Sequence, residues 1–229
     1  MLAIIKKELK GYFLSPIGYV VIGIFLIAFS GFFYLTTIQS SSVDMTNLFY
    51  NTALWGLMFI VPLLTMWTIS GERKSGTEQL IMTSPVSMLG VVIAKFLSAL
   101  LLIVIPVIFT LMYFAILCKY QMPDINTYLT SALGFILLSM SYISFGVFAS
   151  SLTETPIVAG ILTFGFVFGT TILPQLITSI DISSISLLNL FIKFLLGQID
   201  ISATVIFISL TILFIMITMI IMQRRKSIK

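Results

Sequence analysis

Residues 95–119 read KFLSALLLIVIPVIFTLMYFAILCK, from Lys95 to Lys119, with no charged side chain between the two lysines. At 1.5 Å per residue this run is long enough as a helix to cross about 30 Å of hydrocarbon. Its apolar residues cover every face instead of alternating, which favours a membrane helix over a strand of an outer-membrane barrel. The same pattern repeats outward in both directions. No charge lies between Lys10 and Asp44, Asp44 and Glu72, Asp124 and Glu154, Glu154 and Asp181, or Asp200 and Arg224. The gaps place six helices at Ile17–Ile38, Thr52–Ser70, Gly90–Leu117, Tyr128–Ser150, Pro156–Ile177 and Ile201–Met222. The expected fold class is an all-α integral membrane protein with six transmembrane helices, built as a single unit over 1–229.

Composition agrees. Of 229 residues, 59% are hydrophobic and 9% charged, and the mean hydropathy is +1.17. A soluble domain carries about 25% charged residues, so this chain could not cover a water-facing surface, and it is too apolar to stay disordered. There is no histidine, which excludes Ser-His and Cys-His nucleophilic pairs, the HExxH zinc site and His-ligated haem. The single cysteine, Cys118, can form neither an internal disulfide nor a cysteine-rich metal site, and it is expected as a small packing residue. No metal or cofactor is expected on the chain. The net charge of +4 is read as a record of membrane topology, with the lipid bilayer as partner and no nucleic acid.

The lysines and arginines give a direction. Lys6, Lys7, Lys10, Arg73, Lys74, Arg224, Arg225, Lys226 and Lys229 fall on one side of the six spans, with Lys95 near the same face. The other side holds Lys119 and Lys193 together with Asp44, Asp124, Asp181 and Asp200. The positive-inside rule then places both termini in the cytoplasm. The N-terminal basic stretch runs into an apolar segment too long for a cleavable signal. Leu2, Ile5, Leu9 and Phe13 recur at helical spacing there, opposite Lys6, Lys7 and Lys10. Residues 1–16 are therefore expected to form an interfacial amphipathic helix that breaks at Pro16, the alternative being a basic flank that only sets topology.

The outer region 173–200 holds an apolar run, Ile185–Gly197, too short to span. It is read as a re-entrant hairpin or as an amphipathic helix on the outer leaflet. Pro62 and Pro106 lie inside the second and third spans, either as a flexible gate or as static helix shape. Gly165 and Gly169 form a GxxxG pair suited to close helix approach, within the chain or at a seam between chains. Ser139, Ser141, Tyr142 and Ser144 line the fourth span as candidates for interhelical hydrogen bonds. No ionisable group stands near the middle of any expected span, which argues against a proton relay or an ion-coupled carrier.

The most informative loop is GERKSGTEQLIMTSPVS, Gly71–Ser87. Gly71 and Gly76 have the spacing of a phosphate-binding loop, but Thr77 stands where the lysine is required and no strand precedes it. Thr77 can cap a short helix, Glu78 suits its N-terminus and Pro85 ends it. Leu80 and Ile81 give that helix an apolar face. The segment reads either as a docking element or as a polar turn between spans.

The residues Glu72, Arg73, Gly76, Thr77, Glu78, Leu80, Pro85 and Val86 resemble the E-R-x-x-G-T-x-E-x-L-x-x-x-P-V signature of ABC-2 type (type-2 exporter) permeases, and the six-span pattern is similar over nearly the whole chain. KKELKGYFLSPIGYV and LLGQID are similar to the branch that includes the gliding-motility-associated permease. The resemblance implies that 71–88 is a cytoplasmic coupling loop, that this chain is a transport subunit without enzymatic activity, and that ATP and Mg are bound by separate cytosolic ABC ATPase subunits. It also implies a second permease chain, as a homodimer or heterodimer, and a prokaryotic plasma membrane. The other readings of the residues are a non-ABC carrier or channel of six spans, and a membrane-embedded hydrolase, for which no catalytic set is evident.

Overall fold

The computed structural model describes residues 2–39, 43–79, 87–172, 174 and 186–228, and among these every regular element is a helix. In chain order they are α1 (Leu2–Leu14), α2 (Pro16–Phe33), α3 (Thr46–Asn51), α4 (Leu57–Thr65), α5 (Ser70–Lys74), α6 (Met88–Leu117), α7 (Ile125–Leu152), α8 (Pro156–Thr171), α9 (Leu187–Leu195) and α10 (Ile201–Ile228). A π-helical turn, Tyr34–Ile38, extends α2, and another, Thr52–Gly56, joins α3 to α4.

Five stretches are long and apolar enough to cross a membrane: Pro16–Ile38, Thr46–Lys74, Met88–Leu117, Ile125–Leu152 and Ile201–Arg225. The chain is an all-α, multi-pass membrane protein. The fifth of the six expected spans, Pro156–Ile177, appears as the 16-residue α8, about 24 Å long and short of the hydrocarbon thickness. Its expected end at Ile177 lies outside the described residues. The second span begins six residues before Thr52 because the π turn lets the helix widen without ending.

Local chemistry explains the ends. Ser15 is extended, as the residue before a proline must be, and Pro16 opens α2 where its missing N–H costs nothing. Ser87, Asp124 and Ser186 cap α6, α7 and α9 through their side-chain oxygens. Hydrogen bonds from the Thr127 hydroxyl and the Asn126 N–H hold the Asp124 carboxyl below the usual carboxylate range. Pro62 and Pro106 are buried inside α4 and α6, both of which continue through them. The second span is interrupted later, at Met66–Ile69. A proline disturbs the turn before it, not the one after, so Pro62 does not account for this break.

The fourth span, α7, is the axis of the bundle. It packs along α10, α9, α8, α6 and α4. In the spans that contain α4 and α7, 67% and 61% of the most apolar window is buried, against 28%, 33% and 22% in those of α2, α6 and α10, so these last three present more surface to lipid. Phe135 of α7 meets Phe25, Phe29, Phe49 and Phe191 at centroid distances of 5.7–6.5 Å. Toward the other end of α7, Phe145 stacks on Phe166 at 3.8 Å and packs edge-on to Phe214 at 5.1 Å.

Only some of the α7 hydroxyls reach across helices. Ser141 donates to the Phe207 carbonyl of α10 at 3.1 Å, and Tyr142 accepts from Thr170 of α8 at 3.4 Å. Ser139 and Ser144 instead donate to carbonyls of their own helix, the local alternative open to any helical serine. Cys118, expected to pack, is exposed just past the end of α6. Gly165 is exposed too, and among the described residues a Cβ there would meet no atom within 4 Å, so it makes no close helix contact with them.

Of the apolar run 185–197, Leu187–Leu195 forms an amphipathic helix that inserts into the bundle against α7, α3 and α8. Leu188, Phe191 and Phe194 are fully buried, while Lys193 turns out to Asp200 at 2.5 Å. The Lys193 ammonium, with help from Ser202, holds the Asp200 carboxyl well below its usual range. The insertion needs Gly134 on α7, where a Cβ would fall 2.6 Å from Phe194 Cβ. Gly134→Leu is expected to lower stability by about 1–3 kcal/mol through overpacking, seen as a lower melting temperature of the detergent-purified protein, with Gly165→Leu unchanged as the control.

Candidate functional site at the basic end of the bundle

At the end of the bundle that carries Lys6, Lys7, Lys10, Lys74 and Arg224, the interrupted second span creates a site. Where Met66–Ile69 leave the helix, the first N–H groups of α5 lose their intrahelical acceptors. Ser150 of α7 supplies one: its Oγ accepts from the Ile69 N–H at 3.1 Å and the Ser70 N–H at 3.0 Å. Lys95 of α6 answers the other side of the break by donating to the Thr68 carbonyl at 2.7 Å.

Lys95 is 1% exposed and binds two carboxylates as well, Glu72 at 2.8 Å and Glu8 at 3.3 Å. With the Thr68 carbonyl these partners use all three N–H bonds of the ammonium. With Lys95 itself on α6, the cluster joins three parts of the chain: α1, the second span with its loop, and α6. A buried charge is tolerated only when paired in this way. Tyr12 lies beside the cluster on α1, where burial first, then the Glu8 and Glu72 carboxylates, push its phenol well above its ordinary pKa and keep it neutral.

Arg73 points the other way. Its Nη1 donates to the Thr153 carbonyl at 2.6 Å and its Nη2 to the Ser151 carbonyl at 3.1 Å, so a cation sits on the C-terminal carbonyls of α7. Nε and Nη2 also grip both oxygens of Glu78 at 3.3 Å, and Glu78 is itself buried. Gly76, at φ +75°, allows the chain to reverse between Arg73 and Glu78. Ser75 Oγ and Thr77 Oγ1 bond back to the Glu72 carbonyl and lie 2.9 Å apart.

The structure thus brings together Glu72, Arg73, Gly76, Thr77 and Glu78. A helix begins at Glu78 and Gln79, while Leu80, Pro85 and Val86 lie outside the described residues. Glu72 and Glu78 do not project outward; each is turned into the protein and paired. Five contributors carry no signal in the sequence that marks them as members of this site: Glu8, Ser150, and the carbonyls of Thr68, Ser151 and Thr153. Lys95 stands out in the sequence as the charge that bounds the third apolar run, not as a partner of the loop carboxylates. A lone lysine seven residues into an otherwise uncharged helix was the available signal. Among the described residues no cluster of potential metal ligands occurs.

A multi-pass helical membrane protein with charge concentrated at one loop is the class that fold and site define. The family model described as ABC-2 family transporter protein matches residues 2–228, and the chain belongs to that family. It is accordingly a membrane permease of an ABC transporter, a transport subunit that is not itself catalytic, and membership implies an ATPase partner. No curated protein matches the chain.

Proposed function

We propose that this chain is the transmembrane half of an ATP-driven exporter. In this reading the basic end faces the cytoplasm, with both termini on that side of a prokaryotic plasma membrane. ATP and Mg bind to separate cytosolic ATPase chains that dock against the loop 71–88, and a second permease chain completes the translocation unit. The observation that carries the proposal is the pair of ion clusters around Glu72 and Arg73. Through Lys95 the loop is tied to α1 and to the third span, and through Arg73 to the end of the fourth span. A force applied at the loop therefore reaches these helices through short, buried, charge-assisted bonds instead of being absorbed by a slack turn.

On this reading Glu72→Gln and Glu78→Gln insert into the membrane normally yet lose most of the permease-dependent stimulation of ATP hydrolysis, or fail to co-purify the ATPase. The assay is ATP turnover of the reconstituted complex beside a pull-down of the partner. Full stimulation and full co-purification in both variants would refute the proposal.

A further inference from the structure

α1 has two faces. Ile5, Glu8, Leu9, Tyr12 and Phe13 are half-buried against the bundle, where Glu8 meets Lys95 and Gly18 of α2 packs on the Tyr12 carbonyl. Lys6, Lys7, Lys10 and Leu14 are exposed. At 3.6 residues per turn these four fall within one arc of about 100°, opposite the bundle. None of the three lysines forms an ion pair among the described residues.

This charged face stands at the lipid boundary. Tyr12 lies beside Glu72, and the Trp67 ring covers Gly71, the residue before it. α1 is therefore level with Trp67 and, through the edge contact of Phe13 and Tyr19 at 5.8 Å, with Tyr19. Both Tyr19 and Trp67 are exposed, as in the aromatic belt where headgroups meet hydrocarbon. Where α1 ends, an apolar groove opens between α2 and the second span, lined by Pro16, Ile17, Val20, Leu63, Met66 and Trp67. Leu14 is 77% exposed among the lysines, and Val20, Ile24 and Ile27 carry the exposed apolar surface on along α2.

Unneutralised cations at the mouth of an apolar groove fit an amphiphile with an anionic head. An acidic soluble partner would match the lysines but leave Leu14 and the groove uncovered, and a neutral lipid would match only the groove. We propose that this corner binds anionic phospholipid of the adjoining leaflet, with headgroups on Lys6, Lys7 and Lys10 and an acyl chain along the groove to Trp67. The proposal is independent of ATP-driven export.

The test uses the fluorescence of Trp67. The chain has two tryptophans, so Trp55→Phe leaves Trp67 as the reporter. The full chain is reconstituted in vesicles of phosphatidylglycerol and phosphatidylcholine at a fixed ratio, with brominated acyl chains on one lipid or the other. The two degrees of quenching give the preference for the anionic lipid beside Trp67. That preference is at least about five-fold at low salt, the value of one lysine at a charged surface, and it shrinks in 1 M salt as the charges are screened, roughly to a Debye length of 3 Å. Replacing all three lysines by glutamine brings it close to one, replacing all three by arginine keeps it, and Lys119→Gln at the other end of the bundle leaves it unchanged. Lys10→Gln alone lowers it measurably and perturbs folding least. No preference in the parent, or a preference that the triple glutamine variant retains, overturns the proposal. So does a triple glutamine variant that quenches like the parent yet no longer co-purifies the ATPase, which would give the lysine face to an acidic protein surface.

Discussion

Lys95→Ala leaves the protein in the membrane but abolishes permease-dependent ATP stimulation and lowers stability by about 3–5 kcal/mol, the cost of stripping the partner from a buried charge. The change deletes one ammonium and strands the Glu8 and Glu72 carboxylates together with the Thr68 carbonyl. Both carboxylates are mostly buried, at 15% and 17% side-chain exposure, so water relieves little of that cost. A control separates stability from transmission. Lys95→Met combined with Glu8→Gln and Glu72→Gln removes the charges together and recovers most of the melting temperature, because an uncharged set has no unpaired ion to desolvate. Coupling does not return, since the charge-assisted bonds between α1, the loop and α6 are gone. Thermal unfolding in detergent and ATPase assays in proteoliposomes read the two effects. An unchanged melting temperature in Lys95→Ala would show that the cluster does not hold the fold together, and recovered coupling in the neutral triple variant would show that it transmits nothing.

Arg73→Ala produces a loss of similar size, about 3–5 kcal/mol, because it leaves Glu78 buried without its cation and frees the carbonyls of Ser151 and Thr153. Arg73→Lys is the sharper experiment. Lysine keeps the charge but lacks the planar fork, and it cannot reach two carbonyls of α7 and two carboxylate oxygens at once. Hydrogen exchange over 69–79 and 149–155 is expected to rise strongly in Arg73→Ala and partly in Arg73→Lys, while exchange in the middle of α7 stays slow. Equal protection in Arg73→Lys and the parent would mean that only the charge of Arg73 matters, not its geometry.

These two residues show where the sequence was legible. Arg73 lies in a short charged loop among apolar runs, so its position alone marked it as notable. Its partners did not follow, because the carbonyls of Ser151 and Thr153 belong to every peptide and carry no signature. Glu8 belongs to no motif, and nothing in the order of residues on α1 pairs it with a lysine 87 positions away. Lys95 read as a topology signal at a helix end, until the fold brought α1 and the second span against it. Ser139 and Ser144 erred in the other direction: hydroxyls expected between helices bonded to their own.

The sequence by itself determined the class of molecule, the approximate positions of its long apolar segments, and the loop in which charge is concentrated. These depend on local quantities, the transfer cost of charge into hydrocarbon and the rise of a helix, which a single chain displays in order along its length. Only the tertiary structure decided which helix lies at the centre, that Leu187–Leu195 enters the bundle over Gly134, that the second span breaks at Met66–Ile69, and that Glu72 and Glu78 face inward to Lys95 and Arg73. Those outcomes depend on pairing between residues distant in sequence. Side chains that are apolar on all faces can pack in many ways, and the choice among them is made by small residues, orphaned backbone groups and buried charges finding partners across the bundle.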